Sequence, residues 1–186
     1  MPIQKVTKDD ILVKSLEVFR SKGYHNTSMA DLASAVGLLK GSFYHYFLSK
    51  EELMKEVLES IESNLRHQVY PIAYRHHLPA QRRMELFLKQ FSKVVFSKDG
   101  GCIVGNTILE TANHYPPFQK ILQSLINEIT SSLAHLYQEN HSPEIALKLA
   151  QQTIMEFEGA VMMAKLYRDG TYYKDCYLRA IKRIDA

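Results

Sequence analysis

The chain has 186 residues, 46% of them hydrophobic, and is long enough for one large domain or a small domain joined to a larger one. Its two cysteines are far apart and no apolar run reaches about 18 residues, which argues against a disulfide scaffold, a zinc site or a membrane span. The formal charge of +3 lies entirely in residues 1–50. We therefore expect a cytoplasmic protein without a cofactor, whose basic end favours a polyanion such as DNA.

The first half of this basic segment predicts two helices. Apolar residues recur at three- and four-residue steps across 11–19, and Gly23 ends this first helix. Thr27 or Ser28 caps a second, shorter helix that stops before Gly37. The pattern is typical of a supporting helix followed by the first short helix of a helix-turn-helix unit.

A third short helix and the start of a fourth follow the Gly37 turn. The third is predicted from about Leu39 to Phe47, and Ser49 with Glu52 forms a capping box for the fourth. Two short helices joined by a glycine turn behind a supporting helix have the layout of a DNA-binding helix-turn-helix.

The third helix contains four aromatic residues and a histidine in five consecutive positions. At about 100° per residue, its side chains separate into two arcs. The inward arc, which anchors a helix too short to be stable alone, consists of Leu39, Phe43, Tyr46 and Phe47. The outward arc consists of Lys40, Gly41, Tyr44 and His45. Its groups suit phosphates and base edges, although Tyr44 and His45 would also fit a merely solvated face.

The segment "TSMADLASAVGLLKGSFYHYFLSKEELM", residues 27–54, resembles the DNA-binding motif of the tetracycline-repressor (TetR) family of bacterial transcription regulators. The resemblance covers roughly residues 7–55. It implies a non-enzymatic homodimer that binds a pseudo-palindromic operator in double-stranded DNA. It also implies that the DNA contacts, mostly to phosphates, come from Thr27, Ser28, Lys40, Gly41, Ser42, Tyr44, His45 and Lys50. One departure is Leu39, where the family often has a serine or threonine cap.

The rest of the chain predicts further helices and completes an all-α fold. We expect a DNA-binding domain over residues 1–50, a linking helix beginning within 49–70, and a helical effector-binding and dimerisation domain over residues 51–186. In proteins that resemble this one, two late helices pair with their copies across a two-fold axis. That resemblance implies interface positions at Ile129, Leu133, Phe157 and Val161. The alternative is that these apolar stripes fill the core of a single chain.

The effector site is predicted around Cys102. This cysteine follows two glycines where a helix begins, and a helix N-terminus favours a thiolate. The pattern resembles a branch of the family that senses electrophiles or oxidants, and that resemblance places Lys165 beside the thiol. The competing interpretation is a small buried hydrophobe and a solvated lysine. Further candidates for an unknown small-molecule effector are Phe87, Phe91, Asn106, Asn113 and Met162.

Two functional classes follow from these patterns. The first is a repressor that a small-molecule, electrophile or oxidant signal releases from its operator. The second is a small helical thiol-dependent enzyme or redox protein that uses Cys102. The sequence carries no spacing signature of a catalytic triad, a phosphate loop or a metal site. The adjacent His76 and His77 are better interpreted as a solvated loop than as zinc ligands.

Overall fold

The computed structural model describes residues 6–97, 100–112 and 115–185. Within these ranges the chain forms ten helices and one two-stranded ladder, which confirms the predicted all-α class with a small addition. The N-terminal helices are α1 (Lys8–Lys22), α2 (Met29–Ala35), α3 (Lys40–Phe43) and α4 (Lys50–Gln68). The others are α5 (Tyr70–Ala73), α6 (Ala80–Val95), α7 (Ile103–Thr111), α8 (Pro116–Tyr137), α9 (Pro143–Tyr167) and α10 (Thr171–Lys182).

Capping boxes start both helices that precede the glycine turn. Thr7 accepts the N–H of Asp10, whose carboxylate accepts the N–H of Thr7. Ser28 and Asp31 make the same reciprocal pair at α2, so Ser28 rather than Thr27 is the cap. Each box satisfies backbone donors that a helix leaves unpaired at its N-terminus, and so fixes where α1 and α2 begin.

The third helix is shorter than predicted. It ends at Phe43, and residues 44–46 form a turn. Phe43 and Phe47 are fully buried and Tyr46 donates its hydroxyl to the carbonyl of Val6 at 3.1 Å, so these three residues anchor the segment as expected. Leu39 is the exception, because it is 82% exposed. It lies ahead of the helix in extended backbone, where a helical projection does not apply.

The linking helix α4 begins at the predicted cap, with one difference in its hydrogen bonds. Ser49 accepts the N–H of Glu52, while the Glu52 carboxylate accepts the N–H of Leu48 at 2.8 Å instead of that of Ser49. From this start α4 runs for 19 residues and packs against α1, α6 and α8. It therefore joins the N-terminal helices to the larger helical body.

The core of that body is formed by α8 and α9, which pack along each other, with α10 and α6 beside them. The four residues predicted for a dimer interface lie inside this single-chain core: Ile129, Leu133, Phe157 and Val161 are only 2–5% exposed. The prediction for these residues is therefore corrected in favour of its alternative. Their side chains face the neighbouring helices of the same chain.

A two-stranded antiparallel ladder, which the sequence patterns did not indicate, connects α6 to α7. β1 (Phe96–Ser97) pairs with β2 (Gly101–Cys102), with Phe96 opposite Cys102. Gly101 has a φ of 77°, a left-handed conformation that favours glycine. The Asn106 amide donates to the carbonyl of Gly100 at 2.7 Å and holds the start of α7 against the ladder. Among the residues described, no helix is long and apolar enough to cross a membrane.

Candidate DNA-reading surface and effector cavity

Five of the predicted DNA contacts lie together on an exposed surface, which we call the reading surface. It consists of Lys40, Gly41, Ser42, Tyr44 and His45. Within the described part of the chain, none of its side chains is hydrogen-bonded to the protein. A Cβ added to Gly41 would meet nothing within 4 Å, so folding does not require a glycine there. The reading surface therefore offers a cation, hydroxyl groups, an imidazole and an accessible backbone.

The other three predicted contacts are already engaged by the protein. Thr27 is 2% exposed and donates its hydroxyl to the Gly23 carbonyl at 2.6 Å. Ser28 is exposed, but its hydroxyl belongs to the α2 cap. The Lys50 ammonium donates to the Tyr24 carbonyl at 2.8 Å and lies 4.3 Å from the centroid of the Tyr24 ring. In this arrangement the three side chains hold the α1–α2 turn and the ends of α2 and α4 in place.

Leu39 belongs to the reading surface by position, although sequence reasoning placed it in the core. It immediately precedes Lys40, and its backbone caps α3 without a side-chain hydrogen bond. An exposed apolar side chain at the start of a recognition helix is chemically suited to the methyl group of thymine. The sequence did carry a signal of this difference, because Leu39 stands where the family often has a serine or threonine that caps the helix.

Behind the helix-turn-helix, the larger body contains an enclosed apolar cavity of about 20 Å³, room for roughly one water molecule. It is lined by Phe87, Leu88, Phe91, Cys102, Val104, Ile126, Ile129, Leu133, Thr153, Ile154, Phe157 and Glu158. Three of the predicted effector residues, Phe87, Phe91 and Cys102, are among them. Sequence reasoning missed its polar members Thr153 and Glu158, which are embedded in apolar helix stripes.

The remaining effector candidates lie outside the cavity. Asn106, Met162 and Lys165 line an open groove of about 780 Å³ between α7 and α9. Asn113 falls outside the described residues. Cavity and groove share two residues, Cys102 and Glu158, which therefore form the wall between them.

The electrostatic environment of Cys102 is the reverse of the predicted one. The thiol is 2% exposed, and burial, reinforced by the nearby Glu158 carboxylate, raises its pKa far above the ordinary value. The Gly105 N–H, 3.5 Å from Sγ, opposes this effect only weakly. Lys165 does not contact the sulfur; its ammonium lies 3.5 Å from the Gly100 carbonyl. Burial and the neighbouring acid therefore disfavour the expected thiolate.

The opposite end of α7 contacts the helix-turn-helix. The Glu110 carboxylate accepts the His25 N–H at 2.9 Å, and the His25 Nε2 donates to the Glu110 carbonyl at the same distance. A Cβ on Gly23 would lie 2.7 Å from that carboxylate, so only a glycine permits this approach without a shift. The Tyr24 ring packs edge-on against Tyr115 and Phe118, with centroids 5.3 and 5.5 Å away. The nine residues of α7 therefore connect the cavity wall to the α1–α2 turn.

Two family models match the sequence of this chain. The sequence model for bacterial regulatory proteins of the tetR family matches residues 11–57. The model for the C-terminal domain of LmrA/YxaF-like transcriptional regulators matches residues 80–176, just over half of the chain. The chain belongs to the TetR family. TetR-family regulators bind operator DNA as dimers and are not enzymes, which removes the thiol-dependent enzyme as an alternative.

Full-length relatives agree with this membership. The transcriptional repressor DhaR of Mycobacterium sp. strain GP1 is 24% identical over 173 residues, covering 87% of this chain and 84% of DhaR. The regulator YxaF of Bacillus subtilis is 25% identical over 169 residues, covering 89% and 88%. The crystal structure of a TetR regulator from Legionella pneumophila superposes with a TM-score of 0.86 at 23% identity, over 98% of both chains. Reduced NemR of E. coli gives 0.75 at 20% identity, over 93% of this chain and 94% of NemR. These structures share the TetR-family fold.

Proposed function

We propose that this TetR-family protein is a repressor that a reversibly bound small ligand releases from a pseudo-palindromic operator. Residues 1–50 would read DNA, and residues 51–186 would bind the ligand and hold the dimer. The observation that carries the proposal is the set of contacts made by α7, one end of which forms the cavity wall while the other bonds to the α1–α2 turn. Such a repressor would act in the cytoplasm, where its operator DNA would lie.

The reading surface supplies the proposed contacts with DNA. Lys40, Ser42, Tyr44 and His45 would donate to phosphates and base edges, and Leu39 would contact a thymine methyl group. Gly41 would let the backbone approach the duplex. Thr27, Ser28 and Lys50 support this surface through the contacts that hold α2 and α4.

We place the dimer face on an exposed stripe of α9 instead of on the four buried residues that the sequence had predicted for the interface. Met155, Met162 and Leu166 are 63–70% exposed, and Gly159 has open space around its Cα. Steps of four, three and four residues place all four on one stripe of the helix. A contiguous apolar stripe of this kind on a long helix suits a second copy of the chain, with Gly159 allowing close approach.

Reversible binding fits the site better than thiol modification. The thiolate is the reactive form of cysteine, and burial together with the Glu158 carboxylate raises the pKa of Cys102 and disfavours that form. Phe87, Phe91 and Phe157 instead provide the apolar lining that small ligands prefer.

An electrophoretic shift assay on the DNA that flanks the protein's own gene tests the proposed function. We expect the wild type to shift this DNA as a dimer, and a variant with Lys40→Ala and Tyr44→Phe together to shift it only at much higher concentration. Glu144→Gln, an exposed change on α9, serves as the control and should bind like the wild type. If the wild type shifts neither this DNA nor any fragment of its genome, the protein is not an operator-binding repressor.

A further inference from the structure

Glu158 occupies an unusual position on α9. It lies half-buried in the wall shared by the cavity and the groove, next to the Cys102 thiol. A Cβ on Gly105 would clash with the Glu158 carboxylate, which shows how closely this group approaches the first turn of α7. The glycine therefore creates the space in which the carboxylate sits.

Within the described ranges, no lysine, arginine or histidine forms an ion pair with Glu158. The ammonium of Lys165, on the same groove, is directed to the Gly100 carbonyl. Thr153, the remaining polar residue of the cavity, donates its hydroxyl to the Leu149 carbonyl at 2.8 Å and shares a hydrogen bond with the Tyr137 hydroxyl. Glu158 therefore has the Cys102 thiol as a hydrogen-bond partner but no cationic partner in the described part of the chain.

A carboxylate in such a setting favours a cationic partner. Removing a charged group from water without a counter-charge costs free energy, and burial accordingly raises the pKa of Glu158. The thiol is a weak donor and carries no positive charge. A ligand that brings a cation to this point would recover much of the lost solvation, while its apolar part would contact the cavity lining.

We propose that the effector of this protein is an amphipathic cation, in which a protonated amine pairs with Glu158 and an aromatic or aliphatic body packs among Phe87, Phe91 and Phe157. The inference rests on the proposed function, since it names the class of ligand for that site. The cavity of about 20 Å³ is too small for such a body, so binding must separate α7 from α9 at the Cys102–Glu158 wall. Movement of α7 there would also displace Glu110 from His25.

The test compares two probes of nearly identical shape, protonated 1-naphthylmethylamine and neutral 1-naphthalenemethanol, by isothermal calorimetry at pH 7. We expect the wild type to bind the amine at least about tenfold more tightly, the ratio that one charge-assisted hydrogen bond supplies. Glu158→Gln should remove this preference and leave the affinity for the alcohol unchanged. Glu144→Gln, which removes an equal charge from an exposed position on the same helix, should keep the preference.

Gly105→Ala provides a second variant if Glu158→Gln fails to fold. Its added methyl group should displace the carboxylate and reduce the preference for the amine while the net charge stays constant. The proposal would be overturned if the wild type bound the two probes equally or did not bind the amine at millimolar concentration. It would also be overturned if the preference for the amine survived in both variants. Operator binding, measured on the same preparations without ligand, reports on the proposed function separately.

Discussion

The reading surface and the effector cavity use their side chains in opposite ways. The reading surface presents exposed side chains that make no hydrogen bonds to the described part of the chain, above a core anchored by Phe43 and Phe47. The cavity is lined by residues such as Phe87 and Ile129 that also hold the helices together. In the first region binding can change without loss of stability. In the second, a substitution that alters the proposed ligand site also alters the core.

The largest effect should come from the proposed dimer face on α9. Gly159→Arg introduces a long charged side chain where the single chain has open space, so the monomer should fold while the dimer cannot form. Operator affinity should fall by about 100-fold or more, because each DNA-binding domain then binds its half-site alone. Sedimentation velocity and an operator shift assay measure the two effects. Gln119→Arg, at an exposed position of α8, is the control. If the Gly159→Arg variant stays dimeric, the interface does not include this stripe of α9.

Substitution of Lys40 and substitution of Lys50 should have different effects on DNA binding. Lys40→Ala should weaken binding to all sequences and reduce the slope of log affinity against log salt by about one, since one phosphate contact is lost. Lys50→Ala should leave that slope nearly unchanged and lower the melting temperature, because its ammonium is bonded to the Tyr24 carbonyl. Binding titrations at several salt concentrations, with melting curves, separate the two. Equal changes of slope would place Lys50 on the DNA.

The connection between the two regions should depend on Glu110. Glu110→Ala removes the acceptor for the His25 N–H, and hydrogen–deuterium exchange of that amide should accelerate by about tenfold, matching about 1.4 kcal/mol for a hydrogen bond to a charged acceptor. Glu17→Ala, an exposed change on α1, should leave it unchanged. Protection at His25 that is the same in both variants would show that this contact does not hold the turn.

A smaller effect on DNA binding alone should come from Tyr44→Phe. Loss of the hydroxyl should cost about 1 kcal/mol of operator affinity if it bonds a phosphate. The melting temperature should stay the same, because Tyr44 is 37% exposed and its hydroxyl has no protein partner among the described residues. Fluorescence anisotropy with labelled operator DNA measures the difference. A fall in melting temperature with unchanged affinity would assign Tyr44 to packing.

The smallest effect is expected from Cys102→Ser on the release of the protein from its operator by a quinone. Because its thiol is buried and its pKa is raised, a quinone should release wild type and Cys102→Ser from the operator equally little. An operator shift assay after brief quinone treatment measures this, with Cys176→Ser as the control for the second thiol. Release of the wild type alone would restore Cys102 as a sensor.

Much of the DNA-binding region could be predicted from the sequence because its determinants are local. The cap at Ser28, one of the two residues proposed for it, and the anchors Phe43 and Phe47 were predicted from short stretches of sequence, and the tetR-family match over residues 11–57 confirms the family. The prediction failed at Leu39, where the helix had not yet begun. It also extended α3 through residues that form a turn.

The surroundings of the proposed effector site were decided by the tertiary structure. The sequence marked Cys102 and the family resemblance gave it Lys165 as a neighbour, whereas packing of β2 against α9 brought Glu158 to the thiol. Likewise, periodicity showed that Phe157 lies on an apolar stripe without showing which surface covers it. A helical repeat specifies a face over a few residues, but the partner of that face comes from distant parts of the chain. Charge and burial at the site depend on that partner, so only the folded chain determines them.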